Sequence, residues 1–178
     1  MSVIIGLCGY KRTGKTTVAE ILCDRYGYFH ESFASPIREF VATIVGTSVH
    51  GLEAVKEAPL EWLDGKTPRH MMQTVGTEWG RDTVHPELWV RSLVKRIAPA
   101  ITRHQPVVVS DVRFPDEAEA LRSLGGIIVR VTRPGMTRGT HPSETRVDAI
   151  EADFEFPNNG GLMAALDAVD ALHARVKR

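Results

Sequence analysis

Two cysteines, Cys8 and Cys23, are all that this chain of 178 residues contains, and they stand in no spacing motif. That excludes a disulfide framework and a cysteine-based metal site. The expectation is a buried, reduced pair in a cytoplasmic protein. Net charge is also missing, because 22 basic residues balance 22 acidic ones. A nucleic-acid coat or membrane-surface protein would carry a basic excess, so neither a nucleic-acid polymer nor a membrane is an expected partner. No apolar stretch approaches the roughly 20 residues of a membrane span. Met1 to Cys8 lacks the basic start and small-residue cleavage site of a signal peptide. Internal repeats, low-complexity tracts and linkers are absent. What remains, 43% hydrophobic and 25% charged, is the composition of an ordinary globule sized for one domain with one core. Its basic residues lean to arginine, whose planar fork grips phosphate with two bonds. Coding bias is the competing explanation of that lean.

The apolar run Val3 to Cys8 predicts a fully buried parallel strand. Gly14 to Tyr26 carries Val18, Ile21 and Leu22 at helical spacing and closes at Gly27. Tyr28 to Phe33 reads as an edge strand. Ser35-Pro36 has the form of a helix start, with Ser35 as cap, for a helix reaching about Val45 and stopping near Gly46. Residues 48–103 are mostly helical. Val107-Val108-Val109 opens a β-branched strand ending at Asp111. Pro115 to Leu124 is helical, and Gly125-Gly126 break it. Ile127 to Val131 is another buried strand, and Phe154 to Phe156 a last short one. Gly161 to Val176 is an amphipathic helix with Leu162, Leu166, Val169 and Leu172 on one face. The alternation predicts an α/β domain whose parallel sheet is covered by helices on both faces. The helical insertion between the second and third strands is a natural substrate-binding subdomain.

Gly9 to Thr16, GYKRTGKT, fits G-x-x-x-x-G-K-[ST] without mismatch. A chance match in a chain of this composition is on the order of 0.5%, and the match lies between an expected strand and an expected helix. Glycines let the backbone curl until successive N–H groups point at one anion. The helix N-terminus adds partial positive charge. Lys15 would reach the β- and γ-phosphates, Thr16 would hold Mg²⁺, and Thr17 can donate to the α-phosphate. Lys11 and Arg12 add charge to the loop. No N-K-x-D motif for guanine is present, and no D-x-x-G follows the third strand. That argues against a GTP switch. A short P-loop chain with arginines spread through its later loops points to a small-molecule kinase, which must surround two phosphate groups and exclude water.

On the acceptor side, Asp111 ends a strand at the sheet edge where ligands bind in open α/β folds. It can orient Mg²⁺ or the acceptor. Arg113, two residues on, is a candidate phosphate clamp, with a surface arginine beside an Asp cap as the alternative. Arg38 lies one turn into its helix. Arg69 and Gln73 are four apart and share a face, which could equally be a solvated polar face. Trp89 can stack on a base or belong to the core. Arg133 and Arg138 flank Pro134 to Thr137 in a loop able to close over ATP. His141 has no partner at ligand spacing and is expected to close that loop structurally.

The segments GYKRTGKTT, FASPIREF, RHMMQTVGTEWGR with PELWV, SDVRFPDEAEALRSLGGIIVRVTRPG, and THPSE with PNNGGL resemble the virus-type deoxynucleoside monophosphate kinases. They fall in family order and cover most of the chain. The resemblance implies a P-loop NTPase fold of about five parallel strands. It implies one kinase domain: core 1–47 and 104–178, a helical acceptor-binding insertion at about 48–103, and a lid at about 133–145. It implies transfer of the ATP γ-phosphoryl group to a 2′-deoxynucleoside 5′-monophosphate, in the host cytoplasm if the source is viral, by a monomer or homodimer. Lys11, Arg12, Thr13, Gly14, Lys15, Thr16 and Thr17 would bind ATP. Phe33, Ile37, Arg38, Arg69, Gln73, Gly76, Thr77, Trp89, Asp111, Arg113 and Glu117 would line the acceptor site. Lys15, Asp111, Arg113, Arg133 and Arg138 would serve the transfer, with Thr16 and Asp111 on Mg²⁺. Relatives often carry Asp where Thr16 stands; threonine is the ordinary Mg²⁺ ligand. Two alternatives remain open: a kinase for a sugar acid or coenzyme precursor, and a non-catalytic nucleotide-binding module.

Overall fold

β1 (Ile4–Cys8) is enclosed at all five residues, as a strand buried on both faces requires. The computed structural model describes residues 2–136 and 146–177. Around β1 lie β2 (Phe29–Glu31), β3 (Val107–Val112), β4 (Ile127–Thr132) and β5 (Phe154–Pro157), in the order β2-β3-β1-β4-β5. Every pairing is parallel, and β2 takes the edge position its short polar sequence predicts.

Parallel neighbours need crossover helices. α1 (Lys15–Tyr26) follows β1 and closes at Gly27, whose positive φ lets its N–H reach the Cys23 and Leu22 carbonyls. Ile5 and Leu7 share a core with Val18 and Leu22 of α1, and with Val169 and Leu172 of the last helix, Leu162–Val176. Each such side chain contributes about 1.5–3 kcal/mol on full burial. Gly6 points to the opposite face, by strand alternation. A Cβ there would meet Leu121 Cδ1 at 2.7 Å and Ile128 Cδ1 at 2.8 Å. The helix carrying Leu121, Pro115–Ser123, therefore covers the second face. Cys8 is buried, Cys23 half-buried, and both are free thiols.

Two compact units emerge: residues up to Ser32 with those from Leu93 onward, and Phe33–Ser92. The first holds the sheet. The second holds α2 (Ser35–Val45), α3 (Val49–Val55), α4 (Pro68–Thr74), a π-helical segment (Val75–Val84) and the first residues of α5 (Leu88–Thr102). In chain order the two remaining long helices are α6 (Pro115–Ser123) and α7 (Leu162–Val176). The core of the second unit is Val41, Ala42 and Leu52, with Met71 and Met72 packed against it.

Some local expectations need correcting. The cap of α2 is Ala34, not Ser35, because Arg38 N–H already bonds the Ala34 carbonyl at 2.9 Å. The helical stretch the sequence suggests over Leu52–Leu63, interrupted by Pro59, breaks earlier than the proline: α3 ends at Val55, and a 3₁₀ turn follows at Glu61–Leu63. In α7 the buried stripe runs Ala165, Val169, Leu172, His173, while Leu162 at the first position is 64% exposed.

His173 ends that stripe in a polar cluster. Its ring stacks on Tyr26 with centroids 3.6 Å apart, and Nδ1 lies 3.1 Å from the Tyr28 hydroxyl. Burial pushes the imidazole below its ordinary 6.5, the Lys177 charge adds to this, and Asp170 opposes it. The unfolded chain therefore takes up a proton below 6.5 that the folded chain still refuses. The stability from neutral His173 is complete above that value and is lost as pH falls below it. Thermal melts are expected to show Tm falling as pH drops below 6.5. His173→Gln should flatten that part of the profile, and an unchanged slope in the variant would assign it elsewhere.

Candidate active site

The turn from β1 into α1 is built by positions that ordinary side chains disfavour. Gly9 has φ +132°, and a Cβ there would lie 2.3 Å from the Val131 carbonyl oxygen of β4. Gly14 has φ +98°, and between them Arg12 adopts φ 66°. A non-glycine residue held in the left-handed region costs about 1–3 kcal/mol and is a common mark of functional loops. Thr13 is buried, and its N–H and hydroxyl both donate to the Tyr10 carbonyl, at 3.4 and 3.0 Å. Lys15 arches back over the same turn. Its Nζ donates to the Gly9 and Tyr10 carbonyls at 2.8 and 2.6 Å. α1 has no side-chain cap and no acid in its first turn. The N-terminal end of α1 directs its leading N–H groups and the positive end of its dipole to the turn, which favours an anion there. Lys11, Arg12, Thr16 and Thr17 are exposed around this mouth.

Asp111 stands at the corresponding end of β3, buried to 6% exposure. The register against β1 passes from Gly6↔Val109 to Cys8↔Val112, two residues on β1 against three on β3. Such a bulge re-aims the side chains beside it, and here it falls at Ser110 and Asp111. Arg113 follows, half-buried. Its backbone N–H donates to Glu117 Oε2 at 2.8 Å, and that of Phe114 to the same oxygen at 3.2 Å. Glu117, 3% exposed, thus commits a carboxylate oxygen to the turn that presents Arg113. The spacing from Phe114 to Glu117 at the start of α6 is that of a capping carboxylate.

The other expected acceptor residues lie in the second unit. Phe33 and Ile37 are buried and Arg38 half-buried. A Cβ on Gly76 would meet Ile37 Cδ1 at 3.3 Å. The sequence predicts a plain helix over Arg69–Gly80, but after Thr74 the backbone widens into the π-helix. Trp89 packs into it: its Nε1 donates to the Gly76 carbonyl at 2.7 Å, and a Cβ on Gly80 would lie 2.6 Å from the ring. The indole is 8% exposed, which is the core placement the sequence left open beside base stacking. Arg69 pairs with Glu57. Gln73 and Thr77 are half-buried in the same stretch.

Sequence reasoning assigned no role to three features. Arg130 of β4 donates to the carbonyls of Val147 and Ile150 and pairs with Glu155. Tyr10 donates its hydroxyl to Asp148 at 2.5 Å. The Asn158 side chain donates to the Thr13 carbonyl at 2.9 Å. Only the last had a local signal, a PNNGG run between strand and helix. Arg133 is exposed where the chain leaves β4; Arg138 and His141 lie outside the described residues.

The donor set suits a hard cation. A hydroxyl on Thr16 and a carboxylate on Asp111 are oxygen ligands of the kind Mg²⁺ takes when phosphates and waters complete its shell. Among the described residues no group of three or more His, Cys, Asp or Glu is placed to hold a metal by itself. No described helix is long and apolar enough to cross a membrane.

Comparison with known proteins places this geometry. The family described as deoxynucleotide monophosphate kinase matches residues 46–168. A protein of Acanthamoeba polyphaga mimivirus that carries the same family's name is 38% identical, over 88% of this chain and 89% of its own length. The deoxynucleoside-5′-monophosphate kinase of Escherichia phage T5 is 26% identical, over 89% and 90%. Among solved structures, shikimate kinase from Aquifex aeolicus superposes with TM-score 0.55 at 14% identity, over 98% of this chain and 96% of that one. Dephospho-CoA kinase from Campylobacter jejuni gives 0.53 at 12%, over 97% and 96%. These two share the P-loop kinase fold. With a phosphate loop folded ahead of the matched span and most of the chain inside it, the chain belongs to the deoxynucleotide monophosphate kinase family.

Proposed function

We propose that this chain transfers the γ-phosphoryl group of ATP to a 2′-deoxynucleoside 5′-monophosphate, giving ADP and the diphosphate. One observation carries the reading: in a chain of this family, Gly9–Thr16 folds into a turn with positive φ at Gly9, Arg12 and Gly14, and the Lys15 ammonium arches over it. Phosphoryl transfer needs little covalent chemistry from the protein. Positioning and charge neutralisation supply most of the acceleration.

On the donor side, N–H groups of the turn and of the first turn of α1, Gly14 among them, receive the ATP phosphates, while the Thr13 N–H stays on the Tyr10 carbonyl. Lys15 has three donors. It keeps one or two on the Gly9 and Tyr10 carbonyls and turns the rest to the β- and γ-oxygens. Thr16 and Asp111 would hold Mg²⁺, which neutralises phosphate charge when bound. On the acceptor side, Arg113 clamps the monophosphate, and Glu117 fixes the turn that carries it. The insertion at about 48–103, with Phe33 and with Ile37 and Arg38 of α2, receives the nucleoside. Arg38 and Arg69 supply charge, Gln73 and Thr77 supply hydrogen bonds, and Gly76 with Trp89 forms an apolar wall. Arg133, exposed where the chain leaves β4, adds positive charge for the transferring group. The substrates are free nucleotides, not nucleic-acid polymer.

A coupled ADP-release assay over the four deoxynucleoside monophosphates and their ribose counterparts tests this directly. ADP should appear with at least one deoxynucleotide. ADP with a hydroxy acid or coenzyme precursor and with no monophosphate would overturn the reading. Lys15→Ala is expected to lower kcat about 100-fold or more with little change in Tm; near-normal turnover would remove Lys15 from the mechanism. Arg113→Ala should raise the acceptor KM and leave the MgATP KM in place, and an unchanged acceptor profile would remove Arg113 from its role. Glu117→Ala removes the carboxylate oxygen shared by the Arg113 and Phe114 N–H groups, both on half-buried residues, at a cost of about 1–3 kcal/mol in all. It should lower Tm and impair acceptor use in the manner of Arg113→Ala. A stable variant with normal acceptor kinetics would refute the bracing role.

A further inference from the structure

The Thr13-Gly14 peptide sits at the point where the phosphate loop becomes α1. Its backbone does not hold itself. Gly14 has φ +98°, and glycine crosses between positive and negative φ at little cost. Rotation of this one peptide plane is therefore cheap unless something outside the loop holds it. In a planar trans peptide the carbonyl and the following N–H point in opposite directions. Whatever fixes the Thr13 carbonyl also fixes where Gly14 N–H is aimed.

Asn158 is placed to do this. Its Nδ2 donates to the Thr13 carbonyl at 2.9 Å. The assignment of nitrogen and oxygen is forced, since a carbonyl can only accept. The same amide group fills the space beside Gly14, where a Cβ would lie 2.3 Å from Nδ2 and 3.5 Å from Cγ. Asn158 is itself tied to the sheet. Its backbone N–H donates to the Thr132 carbonyl at 2.8 Å, one residue beyond the last register pair of β4 and β5, Thr132↔Pro157. The bracket therefore runs from the end of β4, through the Asn158 backbone and side chain, to the centre of the phosphate loop.

We infer that Asn158 is a positioning residue for the phosphoryl donor: it holds the Thr13-Gly14 peptide so that Gly14 N–H faces the nucleotide phosphates. This rests on the donor-site reading of the loop. An Asn is suited to the task because its amide is uncharged and donates. An Asp of the same shape would set a carboxylate against a carbonyl oxygen and place negative charge beside an anion site.

The test uses the full chain and compares wild type with Asn158→Ala, Asn158→Ser and Asn158→Asp. All three keep the backbone bond to Thr132. The KM values for MgATP and for the best deoxynucleotide acceptor are measured alongside Tm. The Ala and Ser variants should raise the MgATP KM about tenfold and the Asp variant more, by the loss of one hydrogen bond plus repulsion. The acceptor KM should stay within about twofold, below what a lost hydrogen bond produces, and Tm should stay near that of wild type. A MgATP KM unchanged in all three variants would overturn the inference. So would a parallel rise in both KM values with a fall in Tm, or loss of folding in both the Ala and Ser variants, since each assigns Asn158 a purely structural part. Wild-type protein that does not turn over MgATP would refute the donor-site reading itself.

Discussion

A backbone turn that gathers N–H groups onto one anion must turn its carbonyls outward, and outward carbonyls need partners. Much of this structure meets that constraint. Gly9 and Tyr10 offer their carbonyls to Lys15, Tyr10 also accepts from Thr13, and Thr13 accepts from Asn158. Gly14 accepts from Val18, the first bond of α1. The partners come from the loop, from the helix it starts and from the end of β5, two strands away in the sheet. The central place of β1, between β3 and β4, brings them within reach. It also sets Gly9 against the Val131 carbonyl with no room for a side chain.

The same sheet edge carries the second chemical group. The bulge in β3 turns Asp111 at the point where β1 is ending, and Glu117 ties down the two amides that follow. A strand running straight into α6 would have no fixed turn on which to present Arg113. The π-helix plays a comparable part in the other unit. The Trp89 indole donates to the Gly76 carbonyl of this segment, and Gly80 lets the ring lie against the backbone. π-helical turns are rare and recur at functional sites, and this one contains Gly76 and Thr77.

The fold was largely legible in the sequence because its signals are local. Val3 to Cys8, Val107-Val108-Val109 and Ile127 to Val131 are apolar runs with turn residues at both ends, and all became strands of the parallel sheet. Gly27 and Gly46 end their helices where expected. The phosphate loop was legible because its chemistry sits in eight consecutive residues. What could not be read depends on distant neighbours. Nothing near Asn158 says that its side chain will meet Thr13, 145 positions away. The register shift at Asp111 exists only against β1. The π-helix at Val75–Val84 arises in a stretch whose spacing suits an ordinary helix equally well, and the indole that fills it comes from further along the chain. Glu117 was named for the acceptor. The structure shows its carboxylate turned to backbone amides, a role that only the folded turn displays.

The central claim is that amides of the turn between β1 and α1, Gly14 to Thr16 above all, receive a polyphosphate. Titration of ¹⁵N-labelled protein with MgATP, followed by amide chemical shifts, addresses it most directly. The account predicts saturable shifts that are largest at Gly14, Lys15 and Thr16. A titration that leaves these amides still, or moves only residues elsewhere in the chain, would contradict it.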